Sequence, residues 1–248
     1  MAVYACFTSG SKGGVGKTTL SSLLTLALAA IERRVLLVDC SEDGGASRLL
    51  LGNPEPPYLR DVLSGEVPLL EAIAEYEVEI GGRPATFYMI SNAADLPESA
   101  DASLLRGCEE VEAGVDVVVF DLPAFRRRDG LYRSIVDLCD VVVKVSAPSH
   151  TDFACIAKSY PPPGSGRRIV YVVNQPRLYA RSWIGEFEEY VRASYGSEVV
   201  VFPYDKVVPF MRPDKIGLVL DRLSREFVHS LVSLAYSLLT PRRREVVA

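Results

Sequence analysis

The sequence predicts a single α/β domain in which a mostly parallel central sheet carries helices on both faces. The chain has 248 residues, of which 48% are hydrophobic and 24% charged, as expected for one packed core. Several short runs are apolar at almost every position, which indicates strands buried on both faces. Helical stretches separate these runs, and no repeat or long linker divides the chain. We therefore place one domain over residues 1–240 and expect residues 241–248 to form a short, flexible, basic tail.

The predicted elements alternate along the chain. Buried strands are predicted at 2–8, 34–39, 115–121, 140–146, 168–174 and 198–203. Helices are predicted at 18–31, 103–111, 130–138, 182–193 and 218–239. Residues 76–90, with Gly81 and Gly82 in the middle, predict a β-hairpin, and the proline-rich stretch 52–57 predicts a loop.

Charge and cysteine usage exclude several classes of protein. The formal net charge of −5 argues against a protein whose whole surface coats nucleic acid. The five cysteines are odd in number and contain no Cys-x-x-Cys pair, so the sequence predicts neither a disulfide framework nor a zinc or iron–sulfur site. No export or membrane-spanning segment is apparent. We expect a cytoplasmic protein, associated with the nucleoid if it binds DNA.

A glycine-rich segment follows the first predicted strand and opens the first predicted helix. Its glycines let backbone N–H groups turn around an anion, and the helix N-terminus adds the positive end of its dipole. Lys17 would contact the β- and γ-phosphates, Thr18 would hold Mg²⁺, and Thr19 would lie near the α-phosphate. The pattern predicts a P-loop NTPase. The expected nucleotide-binding residues are Ser11, Lys12, Gly13, Gly14, Val15, Gly16, Lys17, Thr18 and Thr19.

Ser11 departs from the standard P-loop pattern, which has a glycine at this position. A serine there costs little if its φ angle is negative, because only a positive φ requires glycine. We therefore expect the loop to keep its anion-binding conformation.

The segment Lys12 to Thr18 resembles the deviant Walker A motif, K-G-G-x-G-K-[ST], of the ParA/MinD family of ATPases. The resemblance implies that ATP bridges two copies of the chain in a homodimer. In that family the first lysine, here Lys12, reaches the nucleotide of the partner and helps to stabilise transition-state charge. Lys12 and Lys17 are therefore candidate catalytic residues.

Two aspartates end predicted strands, at the edge of the sheet where ligands bind in such folds. Asp121, followed by Leu122-Pro123-Ala124, resembles the Walker B aspartate and the D-x-P-[AG] segment of the family, and it would hold Mg²⁺ through water. Asp39 resembles the first aspartate of the family's D-x-D motif. The resemblance makes Thr18, Asp39 and Asp121 the candidate metal-binding residues and gives Asp39 a catalytic role.

Ser41 stands where the family has its second aspartate, which polarises the attacking water. A serine lacks the charge to take up a proton beside a phosphate. Either Glu42 or Asp43 replaces the missing carboxylate from a shifted loop, or ATP hydrolysis is slow.

Two further strand ends resemble the adenine-binding parts of the family. Asn174 matches an asparagine that reads the adenine edge, and Pro203-Tyr204-Asp205 is similar to a loop whose backbone contacts the base. An asparagine at a strand end is also a common turn residue, so a purely structural role for Asn174 stays open.

The resemblance implies an ATP-dependent dimerising MgATPase that acts as a switch in DNA partition or in positioning a cellular cargo, with ATP and Mg²⁺ as cofactors. A ParB-like or other activating protein is an implied partner. Arginine clusters at 126–128, 167–168 and 242–244 are candidate contacts for non-specific DNA, or solvated surface.

Three alternatives remain. A MinD-type positioning ATPase would bind membrane, which we do not expect because the tail after Arg244 is too short for an amphipathic helix. An enzyme of the same superfamily could transfer phosphate to a small molecule, as dethiobiotin synthetase does, but no substrate signature is present. The cysteine spacing argues against a metallocluster scaffold.

Overall fold

An eight-stranded sheet runs through the part of the chain that the computed structural model describes, namely residues 1–97, 100–125, 129–174, 181–195 and 198–240. The predicted α/β architecture is confirmed, and each of the six predicted strands is present. The strands are β1 (Val3–Thr8), β2 (Val35–Asp39), β3 (Ala74–Ile80), β4 (Arg83–Ile90), β5 (Val117–Asp121), β6 (Val141–Ser146), β7 (Arg168–Asn174) and β8 (Glu198–Phe202).

The order of the strands is β3-β4-β2-β5-β1-β6-β7-β8, and every neighbouring pair is parallel except β3 with β4. The predicted hairpin is confirmed as β3 and β4. Gly81 and Gly82 form its turn with φ angles of 60° and 72°, which two-residue hairpin turns favour and which glycine adopts without strain.

Strand β3 forms one edge of the sheet. Its residues alternate, so that Tyr76 and Val78 pack toward the core whereas Glu75, Glu77 and Glu79 are exposed. This alternation is typical of a half-buried antiparallel strand, in contrast to β2 and β5, which are buried at every position, and to β1, which is buried from Tyr4 onward.

Helices cover both faces of the sheet. They are α1 (Lys17–Ala30), α2 (Gly45–Leu51), α3 (Leu59–Leu63), α4 (Glu109–Gly114), α5 (Gly130–Leu138), α6 (His150–Ala157), α7 (Arg181–Tyr195), α8 (Ile216–Asp221) and α9 (Arg225–Leu239). One hydrophobic core lies between the sheet and α1, α2, α8 and α9, and a second lies between the sheet and α3 to α7. Among the described residues, no helix has both the length and the hydrophobicity that crossing a membrane requires.

Two predicted helices are wrong in extent. The helix predicted at 103–111 is a 3₁₀ turn at Ala102–Leu105 and the short α4, because Gly107, with a φ of 90°, interrupts them. The helix predicted at 218–239 is divided into α8 and α9. Ser224 begins α9 by accepting a hydrogen bond from the Phe227 N–H at 3.3 Å.

Candidate functional site

The glycine-rich segment forms a loop between β1 and α1, at the carboxyl end of the sheet. Gly14 and Gly16 have φ angles of 70° and 90°, and α1 begins at Lys17. A side chain built on Gly13 or Gly14 would meet nothing within 4 Å, so this side of the loop is open. The φ angle of Ser11 is not positive, so a serine fits at this position of the motif without strain. The loop can therefore present N–H groups to an anion.

Close contacts fix this loop from two sides. A Cβ atom on Gly16 would lie 2.2 Å from Nδ2 of Asn174, and that nitrogen donates a hydrogen bond to the Val15 carbonyl at 2.8 Å. On the other side, Gly10 has a φ of 57°, and a Cβ there would lie 2.7 Å from Cβ of Ser159. The base-binding role that the family resemblance implies for Asn174 stays a prediction, and the contact of Asn174 with the loop was not predicted.

Lys144 supports the same region, and sequence analysis did not identify it. It is fully buried in β6, and its ammonium donates hydrogen bonds to the carbonyls of Ser159 at 2.9 Å and Pro161 at 2.7 Å. It also reaches the last carbonyls of α6, at Ile156 and Ala157. These acceptors satisfy a charge that burial would otherwise penalise strongly. Lys144 thereby holds the segment that packs against Gly10.

Lys17 is buried at the start of α1. Its Nζ donates a hydrogen bond to Oγ of Ser9 at 2.8 Å, and Ser9 in turn donates to the Lys12 carbonyl. Burial lowers the pKa of Lys17, and the charge of Asp121 partly offsets this effect. Thr18 and Thr19 follow it as half-buried residues of the first helical turn. The P-loop lysine and hydroxyls thus lie at the carboxyl ends of the central strands.

Asp39 and Asp121 are neighbours, since they pair in register where β2 and β5 end. Neither carboxylate oxygen of Asp121 has a hydrogen-bond partner of standard geometry in the described part of the chain. Burial raises the pKa of Asp121, as does the charge of Asp39, whereas the Thr18 hydroxyl and Lys17 lower it. A buried carboxylate with free oxygens beside a threonine hydroxyl is a donor set that Mg²⁺ prefers, so these residues fit the ion.

Asp39 is instead surrounded by donors. Its Oδ1 accepts hydrogen bonds from the N–H and hydroxyl of Ser41, at 3.0 and 2.6 Å. Its Oδ2 accepts from the N–H and hydroxyl of Ser47, at 2.8 and 2.7 Å. Burial raises the pKa of Asp39, and these hydrogen bonds partly offset the rise. The Ser41 hydroxyl also accepts the Gly45 N–H at 2.5 Å, so its one hydrogen and one of its lone pairs are already in use.

Lys12 contacts its own chain rather than the P-loop interior. Its Nζ forms an ion pair with Oδ1 of Asp152 on α6, at 2.7 Å, and this hydrogen bond raises the pKa of Lys12. Lys12 lines a cleft of about 330 Å³ with Cys155 and Tyr160. The sequence missed Asp152, because the pair depends on how α6 packs. The contact of Lys12 with a partner's nucleotide stays a prediction.

The predicted base-binding loop follows β8. Tyr204 is 56% exposed, Pro203 is half-buried and Asp205 is buried. The Asp205 carboxylate accepts hydrogen bonds from the N–H groups of Val207 at 3.0 Å and Ser224 at 2.7 Å. Burial acts to raise the pKa of Asp205, but these hydrogen bonds lower it overall. The side chain of Asp205 therefore fixes the loop, and contact of the loop with adenine stays a prediction.

Of the three arginine clusters, only the one at 167–168 lies within the described residues. Arg167 pairs with Asp137 at 3.1 Å, and Arg168 pairs with Glu198 at 3.3 Å. Residues 126–128 and the tail 241–248, including the arginines at 242–244, lie outside the described residues. DNA contact through any of these clusters stays a prediction.

The chain is similar in sequence to curated bacterial proteins. The sporulation initiation inhibitor protein Soj of Bacillus subtilis is 33% identical over 120 residues, which are 46% of this chain and 47% of Soj. The chromosome partitioning protein ParA of Caulobacter vibrioides is 43% identical over 72 residues, or 28% of this chain and 27% of ParA. The matching segments thus span less than half the length of these curated relatives.

The fold extends this similarity to nearly the whole chain. The septum site-determining protein MinD complexed with Mg-ADP, from Pyrococcus horikoshii, superposes with a TM-score of 0.69 over 95% of both chains at 23% identity. A family model described as the CobQ/CobB/MinD/ParA nucleotide binding domain matches residues 6–233. The resemblance that the Lys12–Thr18 motif indicated is confirmed, and the protein belongs to the CobQ/CobB/MinD/ParA nucleotide-binding domain family.

Proposed function

We propose that the protein binds MgATP, dimerises around it and hydrolyses it, as a switch in DNA partition or in positioning a cellular cargo. The observation that carries the proposal is the Asp121 carboxylate beside Lys17 and the open glycine loop, since neither of its oxygens has a hydrogen-bond partner of standard geometry among the described residues. The family membership and the names of the ParA and MinD relatives support the biological role.

The nucleotide-binding step follows from the groups at the loop. The N–H groups of the loop and of the first turn of α1 would surround the phosphates. Lys17 would exchange its hydrogen bond to Ser9 for a phosphate oxygen. Thr18, Asp39 and Asp121 would hold Mg²⁺, which neutralises phosphate charge when bound. The base would lie near Asn174 and the Pro203–Asp205 loop.

The dimer depends on Lys12. Lys12 is 42% exposed and paired only with a carboxylate of its own chain among the described contacts, so its ammonium can leave that partner at low cost. In the dimer Lys12 would contact the phosphates of the second copy and stabilise charge there.

Residues 1–240 would form the ATPase domain.

We also propose that hydrolysis by the isolated chain is slow. The Ser41 hydroxyl donates its one hydrogen to Asp39 and accepts from Gly45, and it has no charge with which to take up a proton from a water molecule. The exposed Glu42 and Asp43 are the nearest replacements along the chain. An activating protein, and DNA bound through the arginine clusters, are proposed partners of the ATP-bound dimer.

Light scattering in Mg²⁺ with no nucleotide, ADP, ATP or a non-hydrolysable analogue tests the switch. Only the triphosphates should shift the mass from monomer to dimer. Lys17→Ala should lose ATP binding in calorimetry, and Lys12→Ala should keep binding as a monomer but lose the dimer. Lys215→Ala, at an exposed site distant in sequence from the motifs, is the matched control. Absence of any adenine nucleotide binding by the unmodified protein would refute the proposal.

The MinD-type alternative differs in its partner. Sedimentation with anionic vesicles, with and without ATP, separates the two possibilities. A partition-type switch should not sediment with the vesicles in either condition, and it should bind DNA when ATP is present.

A further inference from the structure

The loop that follows β4 is connected to the Asp39 carboxylate by an uninterrupted set of hydrogen bonds. The N–H of Asn92 donates to Oγ of Ser47 at 3.0 Å, and Ser47 donates to Oδ2 of Asp39 at 2.7 Å. Ser47 Oγ accepts the Asn92 N–H through a lone pair and donates its own hydrogen to the carboxylate. Asn92 therefore fixes the orientation of one of the donors around Asp39.

The side chain of Asn92 joins the loop that follows β2 to its own loop. Its Nδ2 donates hydrogen bonds to the carbonyls of Ser41 and Ala94, both at 2.9 Å. Ser41 is the residue whose N–H and hydroxyl hold Oδ1 of Asp39. Asn92 thus contacts both serines that hold the aspartate, one through its backbone and the other through its side chain.

The packing around Asn92 leaves the loop little freedom. Asn92 and Ser47 are fully buried, as is Asp39. Gly44, with a φ of 68°, lies so close that a Cβ atom on it would be 2.6 Å from the Asn92 carbonyl oxygen. The hydrogen bonds that Asn92 donates join these segments, and its Oδ1 has no hydrogen-bond partner among the described residues.

We propose that Asn92 and Ser47 are positioning residues that hold Asp39 in the geometry needed for the nucleotide-bound Mg²⁺. The proposal rests on the proposed function, since it assigns a role in the same site. Residues behind a metal-binding carboxylate set its direction, and their loss commonly weakens metal binding about tenfold or more. Neither residue would touch the nucleotide, so their effect should appear only when the metal is present.

The test measures the affinity for a non-hydrolysable ATP analogue by calorimetry, once in Mg²⁺ and once in EDTA. Their ratio gives the gain in affinity due to Mg²⁺. Asn92→Ala removes the two side-chain hydrogen bonds, and Ser47→Ala removes the hydroxyl between Asn92 and Asp39. We expect each to reduce the gain about tenfold, with affinity in EDTA changed less than about twofold.

Ser91→Ala is the matched control, because Ser91 precedes Asn92 but its hydroxyl donates to the Glu55 carbonyl, at 3.3 Å, outside the network. It should retain the full gain. If Asn92→Ala and Ser47→Ala melt at lower temperature but keep the Mg²⁺ gain of the unmodified protein, the two residues are only structural and the proposal is wrong.

The unmodified protein separates this failure from failure of the proposed function. If it binds the analogue with a Mg²⁺ gain, the variants decide the role of the network. If it binds no analogue in either condition, the proposed function fails, and the positioning role fails with it. Should Asn92→Ala not fold, Ser47→Ala decides alone, since it keeps every backbone hydrogen bond of α2.

Discussion

At the scale of single residues, Gly16 is the position where backbone conformation and packing constrain the P-loop together. Its φ of 90° is strained for any residue with a Cβ, and the Asn174 amide leaves no room for one. Gly13, three residues earlier, has neither constraint, because its φ is not positive and a side chain there meets nothing. The two glycines of one motif therefore carry different structural requirements.

Gly16→Ala should lower the free energy of unfolding by about 2 kcal/mol or more, because an alanine in the left-handed region costs about 1–2 kcal/mol before the contact with Asn174 is counted. Urea denaturation measures this value. Gly13→Ala should differ from the unmodified protein by less than about 0.5 kcal/mol. Equal stabilities for the two variants would show that the loop accommodates a side chain at Gly16.

Residue identities also show what the sequence could predict about the site. Lys12, Lys17 and Thr18 follow from a local motif, and Asp39 and Asp121 from their places at strand ends. Asn92, Asp152 and Lys144 could not be found, because each acts on a residue distant in sequence and no local pattern indicates the pairing. Lys144 did give one signal, a charge inside an otherwise apolar strand, which requires buried acceptors.

At the scale of elements, buried parallel strands were predictable because burial on both faces leaves a continuous apolar run. Short helices were not. The helices α2, α3 and α6 have seven, five and eight residues, too few for a clear helical period. The division between α8 and α9 was missed because leucine spacing continues across it, whereas the break depends on Ser224 and its hydrogen bond with Asp205.

That hydrogen bond predicts a pH-dependent contribution to stability. Asp205→Asn should lower the free energy of unfolding by about 1–2 kcal/mol at neutral pH, since the amide keeps only one acceptor oxygen, so one hydrogen bond is lost and the other loses its charged acceptor. The pKa of Asp205 is lower in the folded protein, so its contribution is present above the unfolded value of about 3.9 and is lost as the pH falls through the folded value. Urea denaturation at neutral and acidic pH measures the difference.

Asp214→Asn is the control for this prediction, because Asp214 is an exposed aspartate of the same segment that pairs with Arg212 at the surface. It should change stability little at either pH. A difference between Asp205→Asn and the unmodified protein that does not shrink as the pH falls through the folded pKa would contradict the role of the charge.

At the scale of the whole molecule, the pair between Lys12 and Asp152 links α6 to the proposed dimer. Asp152→Asn weakens the hold on Lys12 within the monomer, so it should favour the ATP-dependent dimer. A surface ion pair is worth about 0.2–1 kcal/mol and each of the two copies releases one, so the dimer dissociation constant should fall up to about thirtyfold. Light scattering against protein concentration, with a non-hydrolysable analogue, measures this constant.

Asp214→Asn removes a surface pair, with Arg212, outside the cleft that Lys12 lines, and it should leave the dissociation constant unchanged. If Asp152→Asn weakens the dimer instead, Asp152 acts on the partner rather than as a competitor for Lys12.

The exposed glutamates of β3 bear on how two copies can meet. An edge strand offers backbone hydrogen-bonding groups that favour lateral joining of sheets between molecules, and charged side chains oppose such joining. With Glu75, Glu77 and Glu79 at alternate positions, two such edges brought side by side would place like charges against each other. The exposed edge of β3 is thereby protected from open-ended association between sheets. Two copies would instead pair through the nucleotide-binding surface, where a bound nucleotide can control whether they fit.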